Sequence, residues 1–175
     1  MFRLFVISSV FCAVLLIVVA ILGLNIPPHP RNGFVSWHLI PALGGVLLTC
    51  LIHSMVVFYF VGTTGPIFEA AKKIEGHKSF VDQFKRLKMS AILWAGIGIL
   101  AIIAVAGFGG AADMLVISYR VHGWASVVGI VVTLFVLYRE VLLVAGNLQL
   151  ISDINDSLAL RNENDEWSIA PIPKE

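Results

Sequence analysis

Three histidines and a glutamate lie inside otherwise apolar stretches of this sequence, where a plain membrane anchor would not need them. They are His38, His53, His122 and Glu140. An ionisable side chain in an apolar helix costs free energy unless it faces a partner or a cavity, so such residues often mark a site. These four residues are therefore the first candidates for chemistry.

The stretch from His122 to Asn147 carries much of this polarity. His122 and Glu140 are 18 residues apart, which is about five helical turns and places both on one face. Thr133 and Asn147 fall within about 20° of the same line. A polar stripe on an apolar helix predicts that this face points into the protein and not into lipid.

His38 and His53 lie on another apolar stretch, which should cross the bilayer in the same direction. If both stretches are helical, His38 and His122 lie near one membrane surface. His53 and Glu140 then lie roughly 22–26 Å deeper, from the rise per residue of a helix. The sequence thus predicts an outer polar layer and an inner one.

The outer pair, His38 and His122, could supply the two imidazoles that hold a b-type haem between facing helices. Nearby small and aromatic residues are expected to make room for the ring and to flank it: Gly45, Gly129, Phe34, Trp37 and Trp124. One alternative is that both histidines are ordinary residues at the headgroup level. Another is a lone metal ion with Asp113 as a third ligand.

The inner pair, His53 and Glu140, is expected to form a hydrogen bond because a buried carboxyl group needs a partner. Arg139 is a poor partner, since it lies about 100° around the same helix, and it should extend towards the headgroups. With Tyr59 and Tyr138 nearby, the pair could bind a quinone head or pass protons. It could equally be a structural bond between two helices.

The composition indicates the class of protein that positions these residues. The chain has 175 residues, of which 58% are hydrophobic and 13% charged, with a mean hydropathy of +0.92. Soluble domains carry roughly 25% charged residues. Four segments are long enough to cross about 30 Å of hydrocarbon: 4–24, 36–61, 89–108 and 119–147. The first could also be a signal peptide, but its apolar run is longer than the usual 7–15 residues and no A-x-A site follows.

The connection between the second and third segments is rich in lysine and arginine, which predicts that it and both termini are cytoplasmic. A bacterial inner membrane is the expected location, because no transit peptide is evident. Phe80, Phe84 and Leu87 recur at helical spacing and predict a short amphipathic helix on the membrane surface. The fourth helix should continue beyond Asn147.

The predicted fold is therefore an all-α membrane protein. It is a four-transmembrane-helix bundle with a short cytoplasmic amphipathic helix and an extended fourth helix, in one domain over 1–160, with a polar tail over 161–175. The basic residues form no face suited to nucleic acid. No complete catalytic constellation is evident, so enzymatic activity would be at most that of a redox subunit.

Two functions follow from these patterns. The first is a non-catalytic subunit or scaffold of a larger complex, with the lipid bilayer and other membrane subunits as partners. The second is an electron-transfer membrane subunit. It would use His38 and His122 to bind haem b, and His53 with Glu140 as a quinone or proton site.

Overall fold

The structure is a computed structural model and describes residues 2–25, 34–74 and 76–169. Within these ranges the chain is helical and contains no strand, which confirms the predicted all-α class. The helices are α1 (Phe2–Leu24), α2 (Phe34–Gly62), α3 (Thr64–Ala71), α4 (Lys78–Asp113) and α5 (Tyr119–Ile169). Four of them, α1, α2, α4 and α5, are long and apolar enough to cross a membrane.

The break between α2 and α3 follows from the GTTGP segment. The long helix α2 ends at Gly62 and α3 begins at Thr64. Pro66 is the third residue of α3, where its missing N–H would have had no intrahelical partner in any case. The interruption at Thr63 is therefore short, and the backbone hydrogen bonds from Thr63 N to Tyr59 O and from Ile67 N to Thr63 O continue on both sides of it. The proline-rich segment at 27–30 lies outside the described residues.

The predicted amphipathic surface helix is not a separate element. Phe80, Phe84 and Leu87 lie in the first turns of α4, which continues without a break from Lys78 to Asp113. No glycine or proline interrupts residues 78–89, so the backbone has no reason to stop where the side chains change from polar to apolar. The short separate helix is α3 instead.

Helix α5 reaches Ile169 and so runs into the segment predicted as a polar tail. Its extension beyond Asn147 buries Leu150 and Ile154 in the same core cluster as Ile67 of α3. Arg161 donates a hydrogen bond to the backbone carbonyl of Lys73 in the segment between α3 and α4. The extension therefore packs against the end of the molecule that contains α3 and the first turns of α4. We name this part, residues 64–88, the basic end after its lysines.

The four long helices contact one another in a ring. Helix α4 contacts α5 and α2 extensively, and α1 contacts both α2 and α5. Within the described residues α1 and α4 do not meet, and α2 and α5 meet only at a few positions. The helices α2 and α5 thus lie on one diagonal of the ring, and α1 and α4 on the other. His38 and His53 are on α2, and His122 and Glu140 are on α5, so all four candidates share one diagonal.

The outer surface of this ring is apolar. Leu47 on α2 is 71% exposed and Leu100 on α4 is 69% exposed. A soluble protein rarely leaves such wide apolar surfaces in water, whereas lipid is as apolar as leucine. On the inside, Ala91 and Ala95 of α4 are fully buried, and small side chains at such positions let helix backbones approach closely.

Candidate functional site

The inner pair forms a hydrogen bond across the α2–α5 diagonal. The Nδ1 atom of His53 lies 2.9 Å from both carboxyl oxygens of Glu140. Both side chains are 0% exposed. An ionised carboxylate only accepts hydrogen bonds, so with Glu140 ionised the imidazole donates from Nδ1. The structure thus brings together the two residues that the depth argument assigns to one layer.

The other side of the His53 ring lies on the backbone of α4. A Cβ atom added at Gly98 would lie only 2.3 Å from His53 Nε2, so glycine is required for this close approach. Within the described residues Nε2 has no hydrogen-bond partner. A gap that cannot hold a methyl group does not admit a quinone head between Nε2 and α4. The geometry therefore favours a structural bond that joins α2, α4 and α5.

A second polar contact crosses the same diagonal. Asn147 is fully buried, and its Nδ2 donates to the hydroxyl oxygen of Tyr59 at 2.9 Å. Tyr59 follows His53 by six residues and Asn147 follows Glu140 by seven, which is about 9 Å and 10.5 Å along the two helices. Because α2 and α5 run in the same direction, these similar distances place the second contact roughly 10 Å further along both helices than the first. Sequence reasoning placed Asn147 on the stripe but did not identify Tyr59 as its partner.

Arg139, which was expected to extend towards the headgroups, contacts an aromatic ring of a neighbouring helix. Its guanidinium carbon lies 5.7 Å from the centroid of the Trp94 ring on α4, a cation–π distance. Tyr138, which was expected near the inner pair, is exposed on the outer surface. The signal for the Arg139 contact was weak, because Trp94 becomes a neighbour only through the packing of α4 against α5.

The outer histidines also rest on glycines of neighbouring helices. A Cβ added at Gly23 of α1 would lie 2.8 Å from Cε1 of His38, and one added at Gly109 of α4 would lie 3.1 Å from Cε1 of His122. Two histidines thus occupy one diagonal of the ring and two glycines the other. We name these four residues the histidine–glycine layer.

Both imidazoles of this layer are only half-buried. His122 Nδ1 lies 3.4 Å from the Ser126 hydroxyl oxygen, whereas His38 Nδ1 is buried and has no hydrogen-bond partner within the described residues. Asp113, at the end of α4, interacts electrostatically with both rings, and His38 also interacts with His122. The His38 ring also interacts with the backbone of Val19 on α1. The layer therefore combines two imidazoles that interact electrostatically and a ring nitrogen, His38 Nδ1, that has no hydrogen-bond partner within the described residues.

The surroundings of the outer pair differ from the sequence expectation. The space beside Gly45 is occupied by Leu16, and a Cβ at Gly129 would lie 2.1 Å from a methyl carbon of Val105. These glycines lie on the same helices as the histidines, two turns deeper, and the neighbouring helices cover them. The glycines that face the histidines from α1 and α4 are in turn covered by the imidazole rings themselves.

The expected flanking aromatic residues are also placed differently. Trp37 is 81% exposed and Trp124 is 73% exposed, so both indoles project outward and do not cover the histidine–glycine layer. The side chain of Phe34 lies outside the described residues. Across the described ranges, no group of three histidine, cysteine, aspartate or glutamate side chains could hold a metal ion, and the lone-metal alternative thus has no third ligand.

The inner hydrogen bond can be tested by a double-mutant cycle. We expect His53→Leu and Glu140→Leu each to lower the free energy of unfolding by about 1–3 kcal/mol, because each leaves a buried polar group unpaired. The double variant should lose much less than the sum, since two apolar side chains need no partner. Unfolding in detergent measures this. Glu69→Gln, at an exposed ion pair, is the control with an effect within about 0.5 kcal/mol. Strict additivity would refute the bond.

The close approach of α4 to His53 gives a second test. Gly98→Ala should lower the free energy of unfolding by about 1–3 kcal/mol, because the new methyl group collides with the buried ring. Gly96→Ala lies two residues away, and its Cβ would meet nothing within 4 Å. This matched control should change the stability by no more than about 0.5 kcal/mol. Equal thermal stability of the two variants would show that the backbone of α4 does not pack closely against His53.

Comparison with known proteins identifies no family for this chain. No family model matches it, and neither a curated protein nor a solved structure matches it. Proposals about its function therefore rest on its own residues: the fully buried inner pair and the half-buried outer layer.

Proposed function

We propose that this chain is a small integral membrane protein that binds a b-type haem at His38 and His122 and serves as an electron-transfer subunit. The histidine–glycine layer is the observation that carries the proposal. Haem held within a set of helices needs two imidazoles on facing helices and space for the ring between them. Here His38 and His122 lie on one diagonal and each ring packs against a glycine of a neighbouring helix, so the two rings must turn from these glycines towards each other to admit the macrocycle.

The residues in and around the layer would have separate roles in binding the haem. His38 and His122 would bind the iron through neutral imidazole nitrogens, and the Ser126 hydroxyl beside His122 Nδ1 would orient that ring, as outer partners of ligating histidines do. Asp113 supplies negative charge beside both rings. When bound, haem would supply one-electron transfer. Leu16 and Val105, which cover Gly45 and Gly129, close the space below the layer.

We infer that the four long helices cross the bilayer as a bundle, with the basic end and both termini in the cytoplasm of a bacterial cell. The support is the concentration of lysine and arginine between the end of α2 and Lys88 in the first turns of α4, by the positive-inside rule. A single cysteine introduced at Lys73, in a variant lacking Cys12 and Cys50, should resist an impermeant thiol reagent in intact cells and react in inverted vesicles. Labelling in intact cells would reverse the topology.

The absorption spectrum of the purified protein tests haem binding. We expect a Soret band that shifts on reduction, and its loss or a change to a five-coordinate spectrum in His38→Ala and in His122→Ala. His77→Ala is the matched control, since His77 is exposed at the basic end, and it should keep the spectrum. Absence of haem after expression with added haem precursor, or a spectrum unchanged in either outer variant, would contradict the proposal.

A second candidate function is a non-catalytic subunit or scaffold of a larger membrane complex. It is favoured by the inner contacts, because the fully buried His53, Glu140 and Asn147 all bond to side chains of this chain and join α2 to α5. The same purification separates the two candidates. A colourless protein that copurifies from native membranes with other subunits supports the scaffold, and a colourless protein that runs alone contradicts both.

A further inference from the structure

The basic end carries a groove between α3 and the first turns of α4. It has a volume of about 430 Å³ and is lined by Phe68, Lys72, His77, Lys78, Val81 and Lys85, with Asp82 beside them. The groove lies at the opposite end of α4 from Gly109 and the histidine–glycine layer. It is therefore separate from the proposed haem site.

The lining carries an excess of positive charge. Three lysines face one aspartate, with His77 at the rim. Lys72 lies 3.1 Å from Glu69 in an exposed ion pair. Within the described residues Lys78 and Lys85 form no ion pair. Two ammonium groups in this groove are thus available to an anion.

The floor of the groove is apolar and anchored in the core. The Phe68 ring meets Phe84 edge to face, with centroids 5.8 Å apart, and Phe84 is fully buried and contacts Phe60. Val81 adds a second apolar side chain to the lining. This combination of a fixed apolar floor and cationic walls suits an amphiphilic ligand better than a small free anion.

The groove also lies where the surface of α4 changes from polar to apolar. Lys85 and Arg86 precede Met89 and Leu93, which are both largely exposed on an apolar face. Lys85 and Leu93 are about 12 Å apart along the helix. In a bilayer, this position places the lysines at the headgroup level with acyl chains beside the next turns of α4.

We propose that this groove binds the phosphate of an anionic phospholipid, held by Lys78 and Lys85, with its glycerol and upper acyl carbons against Phe68 and Val81. The proposal requires that the helices lie in a bilayer, but it does not depend on haem. Anionic lipid at a basic surface of this kind gains roughly fivefold in affinity for each lysine near the membrane.

The test measures lipid binding to the purified full chain by native mass spectrometry, with phosphatidylglycerol against phosphatidylcholine as probes. We expect retained phosphatidylglycerol in the natural protein and about a 25-fold weaker affinity in the Lys78→Gln/Lys85→Gln variant, from two lysines. Lys73→Gln/Arg86→Gln removes the same charge at positions outside the groove and should weaken the affinity clearly less than the groove variant does. Thermal unfolding in phosphatidylcholine checks that both variants fold.

Three outcomes would overturn the proposal. Equal weakening in both double variants would indicate diffuse attraction by the whole basic end and not a site. Equal retention of the two lipids would show that the groove does not select charge. Displacement of bound lipid by millimolar inorganic phosphate would assign the groove to a free anion, because the apolar floor would then contribute no affinity. A haem spectrum, present or absent, leaves each of these results unchanged.

Discussion

The hydrogen bond between His53 and Glu140 is the constraint on which the rest of this structure depends. The side chains of His53 and Glu140 are both 0% exposed. They can form a hydrogen bond with each other only if α2 and α5 are rotated so that these two residues face one another across the diagonal. This rotation fixes the direction of every other residue on the two helices. Glu140 and His122 are separated by about five whole turns and so share a face. His38 is turned by about 60° from His53, which agrees with His53 resting on α4 and His38 resting on α1.

The three histidines are alike in resting on glycines of neighbouring helices, and they differ in how tightly they do so. Helices in lipid gain little from apolar burial against one another, so close backbone approach and polar contacts hold them together. The inner ring has its Nδ1 bonded and its Nε2 against Gly98, which completes a fully buried contact. The outer rings are half-exposed and looser on Gly23 and Gly109. The outer rings are therefore less confined than the inner ring.

Periodicity and depth made much of this predictable from the sequence. The apolar segments, the end of α2 at Gly62 and the facing of His53 and Glu140 depend on helical geometry within single segments. The roles of Gly98 and Trp94 depend on which helices are neighbours, and no spacing within one segment contains that information. The surface helix predicted around Phe84 was wrong as a separate element for another reason. The amphipathic pattern ended at Lys88, but a change of environment from water to lipid does not end a helix whose backbone can continue.

The two ends of the molecule are chemically distinct and mechanically connected. Lys85 and Gly109 are 24 residues apart on α4, about 36 Å along the axis, so a lipid in the basic groove cannot touch the histidine–glycine layer. Any influence of one end on the other must pass through the packing of α4 against α2 and α5. His53 lies at this junction, bonded to α5 and seated on α4. A shift of α4 along its axis would move Gly98 away from the His53 ring, and the buried imidazole would lose this packing contact. The packing of the His53 ring on Gly98 therefore opposes such a shift, and it is the point through which the two ends of α4 are connected to α2 and α5.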